Sequence, residues 1–203
     1  MRVVVRLRSS IFRTLLVVGG SVVLGLATAC NSAPPPPFLV TYGFEDGLEG
    51  WEGRASLSPK DLQWNIRQET QSSLSKKGAV VFTVDTNQGE GAVWLQKSVS
   101  ISTENVKKDT EVNVQISFTV WVEETPPPGT QVLFWAKRSA PLDKESFVRR
   151  EPLAASDTGR EYRFTEERVS TSGGTLWLAF GVGVVQGAQV TVHFGQVDVR
   201  VTS

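Results

Sequence analysis

Residues Val112–Lys137, VNVQISFTVWVEETPPPGTQVLFWAK, restrict the fold of this chain more than any other stretch. Val112, Val114, Ile116, Phe118, Val120 and Val122 fall on one parity; Asn113, Gln115, Ser117, Thr119, Trp121 and Glu123 fall on the other. A period of two belongs to a strand with one buried face. After three prolines and a glycine, Val132, Phe134 and Ala136 resume the apolar row, opposed by Gln131, Trp135 and Lys137. A hairpin centred on Pro128 places Trp121 directly opposite Trp135.

The same alternation recurs along the chain, and no long apolar stripe of helical period interrupts it. Strands are expected over Phe38–Phe44, Leu62–Arg67, Ala79–Asp85, Ala92–Ile101, Val112–Glu123, Gln131–Arg138, Glu161–Val169, Thr175–Val184 and Gln189–Val201. Many short strands separated by turn residues argue for an all-β, two-sheet antiparallel sandwich over residues 38–203. About 165 residues suffice for a buried core without cross-links.

Tryptophan breaks the pattern in an informative way. In Ala92–Ile101, Trp94 and Gln96 lie opposite the row of Val93, Leu95, Val99 and Ile101. In Thr175–Val184, Trp177 lies opposite Leu176, Leu178, Phe180, Val182 and Val184. Trp94, Trp121, Trp135 and Trp177 therefore all stand on the side away from the apolar rows. Indole faces stack on the C–H faces of sugar rings, and Gln96, Gln115, Thr119, Gln131 and Lys137 share the outward parities and can meet ring hydroxyls. Two other arrangements fit the same parities. The loop Leu142–Arg160 could cover the tryptophans, or a connection crossing between sheets could put Trp121 and Trp135 on opposite faces. Trp64 shares parity with Leu62 and Ile66, and Trp51 falls in a loop, so neither joins the set.

The first 29 residues read as a targeting segment. Arg2, Arg6, Arg8 and Arg13 precede Thr14–Ala29, an apolar, small-residue stretch of 16 residues. That is short of the ~20 residues a membrane span needs and suits a signal peptide. It ends Leu26-Ala27-Thr28-Ala29-Cys30, which resembles a bacterial lipobox and makes Cys30 the lipid attachment point. An ordinary secretory cleavage or an uncleaved anchor are the other readings. Cys30 is the only cysteine, so no disulfide forms within the chain although the address is an oxidising one. Asn31-Ser32-Ala33-Pro34-Pro35-Pro36-Pro37 completes a tether over residues 30–37, in which prolines favour an extended polyproline conformation. The expectation is an extracytoplasmic lipoprotein held to a bilayer, at the outer membrane or cell surface, through acylated Cys30.

Charge and motifs exclude several classes. Without the four leader arginines, 17 basic face 21 acidic side chains, a net of −4. With no basic block and no recognition motif, no nucleic-acid partner is expected. The only histidine, His193, has no nucleophile or orienting acid placed beside it by the sequence. Glu123-Glu124 and Glu166-Glu167 are adjacent pairs, which a strand points to opposite faces rather than across a glycosidic bond. No enzyme is expected.

Three short motifs add a resemblance. Tyr42-Gly43-Phe44-Glu45-Asp46-Gly47 with Trp51 opens the domain. Lys76-Lys77-Gly78-Ala79-Val80-Val81-Phe82 leads into a strand, and Phe194-Gly195-Gln196-Val197-Asp198-Val199-Arg200-Val201 closes the chain. Together they resemble the jelly-roll carbohydrate-binding modules of the galactose-binding-like superfamily, over nearly all of residues 38–203. The resemblance implies a jelly-roll sandwich, a polysaccharide or cell-envelope glycan as ligand, and a structural calcium at Glu45 and Asp198. Unlike the family, this chain has one acid rather than two neighbouring acids in the last strand. The alternatives are an envelope-assembly module that binds a protein partner through the same aromatic face, and a degenerate glycan hydrolase or lyase.

Overall fold

The structure is a computed structural model and describes residues 36–56, 62–70, 77–86, 89–101, 110–155 and 159–203. The leader 1–29, Cys30 and the tether up to residue 35 lie outside the described residues. In chain order the strands are β1 (Phe38–Tyr42), β2 (Glu52–Ala55), β3 (Leu62–Glu69), β4 (Ala79–Thr86), β5 (Gly91–Ser100), β6 (Glu111–Val122), β7 (Gln131–Lys137), β8 (Arg149–Pro152), β9 (Arg160–Ser170), β10 (Thr175–Val184) and β11 (Gln189–Thr202). They form the expected antiparallel sandwich. The first sheet runs β3-β4-β11-β6-β9, with β1 paired to the C-terminal half of β11; the second runs β2-β5-β10-β7-β8.

The inward rows meet as alternation demands. Val112, Val114, Ile116, Phe118 and Val120 of β6 are buried, as are Leu176, Leu178, Phe180, Val182 and Val184 of β10. The sheets are joined through aromatic rings: Phe180 lies 5.4 Å from Phe118, 5.1 Å from Phe194 and 5.0 Å from Trp51, centroid to centroid. On β11 the inward parity changes between Phe194 and Val197, because a bulge at Gly195–Gln196 shifts the register against β6. Two inward rows, Val190-Val192-Phe194 and Val197-Val199-Val201, thus serve one core although their parities differ.

The expected hairpin across Pro128 is not formed. β6 pairs with β11 and β9, whereas β7 pairs with β10 and β8. Glu123–Thr130 is therefore an arch from one sheet to the other, and Trp121 faces His193 in register rather than Trp135. Alternation reports which face of a strand is apolar and not which strand lies beside it. Two strands facing each other across a core turn their apolar rows inward as a hairpin pair would. The arch is shaped by Pro126, Pro127 and Pro128, which have no N–H to continue a ladder. Thr130 closes it, donating from both its N–H and its hydroxyl to the Pro127 carbonyl at 3.1 and 2.7 Å. Gly129 sits at φ 90°, where an added Cβ would come 2.8 Å from Val185 Cγ1. The two strands absent from the sequence expectation, β2 and β8, are four-residue edge strands of the second sheet, EGRA and RREP, too short and too polar to show a period.

Phe180, on the second sheet, touches rings of the first sheet and of the Trp51 turn, so truncating it leaves a cavity at the seam. Phe180→Ala should lower unfolding stability by about 3–5 kcal/mol in chemical denaturation; a loss below about 1 kcal/mol would show that the seam lies elsewhere.

Candidate functional site

The outer face of the second sheet is built in cross-strand rows centred on β10. Trp177 lies between Ser98 of β5 and Lys137 of β7, and Ala179 lies between Gln96 and Trp135. Gly181 lies between Trp94 and Leu133, and Gly183 between Ala92 and Gln131. Large and small side chains alternate across strands, so that indoles from the flanking strands can lie over the small residues of β10. At Gly181 this is obligatory: a Cβ there would fall 2.1 Å from the Val93 carbonyl oxygen and 2.7 Å from Trp94 Cβ.

Three of the four outward tryptophans thus share one face, and the structure separates their roles. Trp94, 2% exposed, is buried beneath the loop that follows β7. Phe147 of that loop approaches Trp94 at 5.4 Å and Trp135 at 6.2 Å, both edge to face. With Ala92, Leu133 and Ala179 they make a small core outside the main one. The loop is held by polar contacts: Arg150 Nε donates to the Phe147 carbonyl, Lys144 pairs with Glu90, and Asp143 Oδ1 accepts from the Ser146 N–H and hydroxyl. Gln96 is buried too, its Oε1 accepting from Trp94 Nε1 at 3.1 Å. Gln96 therefore braces an indole from the side.

Trp135 and Trp177 are half-buried and form the open part of the face. They stand on adjacent strands one residue pair out of step, Trp135 opposite Ala179 and Trp177 opposite Lys137. Such diagonal neighbours are ~7–8 Å apart, within reach for aromatic side chains. Trp135 Nε1 donates to the Ser139 carbonyl at 2.8 Å, which orients its ring. Ser98, Lys137 and Gln131 fringe the pair. Lys137 Nζ contacts Glu166 Oε1 at 2.5 Å, and Arg149 Nε contacts its Oε2 at 3.0 Å. Burial pushes the Glu166 carboxyl up, but hydrogen bonds and charge from Lys137 and Arg149 outweigh it and hold the group below the usual carboxylate range.

The remaining candidates sit elsewhere. Trp121, 5% exposed, is on the outer face of the first sheet, stacked on His193. It is neither a neighbour of Trp135 nor on its sheet, because the arch carries the chain across the core between them. Gln115 and Thr119 lie on β6 and so face the same way as Trp121. Gln115 lines a shallow groove of about 300 Å³ with Thr41, Ser117, Asp198 and Arg200. Sequence parity also passed over Trp64, which is 43% exposed. Its row does point inward, but β3 is an edge strand, and at the rim the indole lies over Gly53 of β2, with ring carbons 3.3 and 3.6 Å from where a Cβ would stand. The signal that could have found it was the glycine in a short edge segment facing a tryptophan.

Asp198 and the turn that carries Glu45 each make hydrogen bonds within the protein. Asp198 Oδ1 accepts from the Thr41 hydroxyl at 2.6 Å, and both its oxygens accept from Gln196 Nε2. The carbonyls of Phe44 and Glu45 both accept from Gln68 Nε2, at 2.6 and 2.7 Å. Protein donors thus engage the Asp198 carboxylate and the Phe44 and Glu45 carbonyls, oxygens of the kind calcium takes.

The chain matches no protein-family model and no curated protein. Among solved structures it is similar to a carbohydrate-binding module in complex with β-1,4-galactotriose, at 13% identity over 77% of this chain and 92% of that one, TM-score 0.47. It is similar also to a xylan-binding domain from Paenibacillus barcinonensis, at 15% identity over 81% and 94%, TM-score 0.43. A third is the cleaved adhesin domain of Lys-gingipain from Porphyromonas gingivalis, at 12% identity over 80% and 97%, TM-score 0.47.

Two outcomes follow from the ionic and carbonyl contacts. Since folding lowers the Glu166 pKa, its pairs stabilise the native state at neutral pH, and that share is lost as pH falls through the lowered value. Glu166→Gln should cost about 1 kcal/mol or less at neutral pH, given that both cations are partly exposed, and should flatten the acid limb of melting temperature against pH. An unchanged acid limb would contradict the pairing. Added calcium should leave the melting temperature where it is; a rise of several degrees would show that Gln68 and Gln196 yield to the ion.

Proposed function

We propose that this chain is a non-catalytic, lipid-anchored extracytoplasmic module that binds a polysaccharide or cell-envelope glycan on the outer face of its second sheet. The observation that carries the reading is the diagonal pair Trp135 and Trp177, half-exposed on adjacent strands above the small residues of β10. Indole offers a rigid apolar face with little conformational freedom to lose. A sugar ring presents an apolar face to it and hydroxyls around its rim. Lys137 and Ser98 flank Trp177 and supply donors and acceptors at that rim. The Lys137–Glu166–Arg149 group lies alongside, fixing the direction in which the lysine points. Cys30 and the prolines after it support the anchored, extracytoplasmic part of the reading, since a lone cysteine behind an apolar leader is the pattern that lipidation uses.

A protein partner on the same face is the second reading. It is favoured by Leu142 and Val148, both exposed on the loop that carries Phe147. Screening the chain against glycan arrays and insoluble polysaccharides separates the two.

On a retained glycan, Trp177→Ala and Trp135→Ala should each weaken binding by tenfold or more, as loss of a buried aromatic anchor does at about 2 kcal/mol. Trp121→Phe should leave binding unchanged. Equal losses from all three, or none from the first two, would overturn the assignment. Cys30→Ser should move the protein from the membrane to the soluble extracytoplasmic fraction, and retention at the membrane would contradict lipidation at Cys30.

A further inference from the structure

We propose that His193 and Glu123 are the protein ligands of a borderline divalent cation, Zn2+ or Cu2+, on the outer face of the first sheet. The proposal does not depend on glycan binding, which concerns the opposite face of the sandwich.

His193 lies on β11 with its side chain 3% exposed, between two carboxylates and against an indole. Its Nδ1 is 3.2 Å from Glu69 Oε2 of β3, and its Nε2 is 3.4 Å from Glu123 Oε1 at the start of the arch. Trp121 stacks on the imidazole with centroids 5.2 Å apart and planes 18° from parallel. Glu69 also lies 3.9 Å from Arg67. The two carboxylate contacts differ in kind. An ionised carboxylate only accepts hydrogen bonds, so Glu69 is placed to accept from a proton on Nδ1. The other nitrogen, Nε2, is buried and makes no hydrogen bond. With the proton on Nδ1, Nε2 carries a lone pair beside the Glu123 oxygen, and a cation bonded to both atoms relieves that arrangement.

The spacing suits a metal ion. Tetrahedral zinc, with bonds of about 2.0–2.2 Å to nitrogen and oxygen, holds its ligand atoms about 3.3–3.5 Å apart, and Nε2 and Oε1 are 3.4 Å apart. The surroundings match those of a ligating histidine. A carboxylate on the far ring nitrogen orients the ring and raises its basicity, and an apolar wall lowers the local dielectric. Here Glu69 is that carboxylate and Trp121 that wall. Glu123 and Glu124 also line a polar cavity of about 230 Å³ with Thr125, Gln189 and Thr191, which leaves room for water on the Glu123 side. Among the described residues no three His, Cys, Asp or Glu side chains converge on one point. The protein ligands are therefore two, and water completes the shell. Imidazole and carboxylate together favour Zn2+ and Cu2+ over calcium or magnesium.

The chemistry makes the test clean, since His193 is the only histidine and Cys30 the only cysteine of the chain. Equilibrium dialysis of the full chain, carrying no polyhistidine tag, against Zn2+ should give one ion per chain. His193→Gln should abolish that binding, and Glu69→Gln should weaken it by about 10–100-fold, the usual effect of removing an orienting partner. Cu2+ should compete and quench the Trp121 fluorescence, a component absent from Trp121→Phe, which still binds Zn2+. Glu123→Gln alters an exposed side chain and so tests the second ligand in a folded protein even where His193→Gln destabilises. Absence of bound Zn2+ in the unaltered chain, or binding by the His193→Gln or Glu123→Gln variant as tight as that of the unaltered chain, overturns the site. In that case His193 shares only a proton between the two glutamates.

Discussion

The contact between Phe180 of β10 and the rings of Phe118 and Phe194 governs this molecule. Neither sheet can bury its apolar face alone, and the centre of each strand set delivers an aromatic ring to the seam. Every other feature follows from which residues remain once those rows are spent inward. Asn113, Gln115, Ser117 and Thr119 are left on the outside of the first sheet, and Trp135 and Trp177 on the outside of the second. An outer face with two half-exposed indoles is unusual for a surface whose core requirements are already met, and it invites a partner.

The period of two made most of this legible from sequence. Nine of the strands fall where alternation puts them, because a half-buried strand must alternate whatever it pairs with. Pairing partners were not legible, and the Val112–Lys137 stretch shows why. Its two apolar rows are compatible with a hairpin and with an arch, and the choice depends on competition for β11 and β10, strands far away in the chain. Once β6 finds β11 and β7 finds β10, the prolines need only span the core. The same limit hid the exposure of Trp64. Parity assigned it to the inside correctly, but the inside of an edge strand opens to solvent. Burial of Trp94 was equally invisible, since it depends on one phenylalanine in an irregular loop reaching back over the sheet.

These corrections redraw the candidate site without moving it off the aromatic face. The pair that matters is Trp135 with Trp177, and Trp94 is its foundation. Phe147 and Gln96 hold Trp94 in place, the glycines and alanine of β10 let the flanking indoles settle, and Lys137 stands opposite Trp177 under the restraint of Glu166. Trp121 serves a different neighbourhood. Buried against His193 on the far sheet, it stands beside a histidine flanked by two glutamates.

The six tryptophans give six indole N–H resonances, and they report on every surface discussed. Titrating the folded, isotopically labelled protein with an oligosaccharide that it retains tests the central claim most directly. The account predicts that the Trp135 and Trp177 indole signals shift together and saturate at one ligand per chain, while those of Trp121 and Trp51 stay in place. Movement of the Trp121 or Trp64 signals with Trp135 and Trp177 unchanged would contradict it.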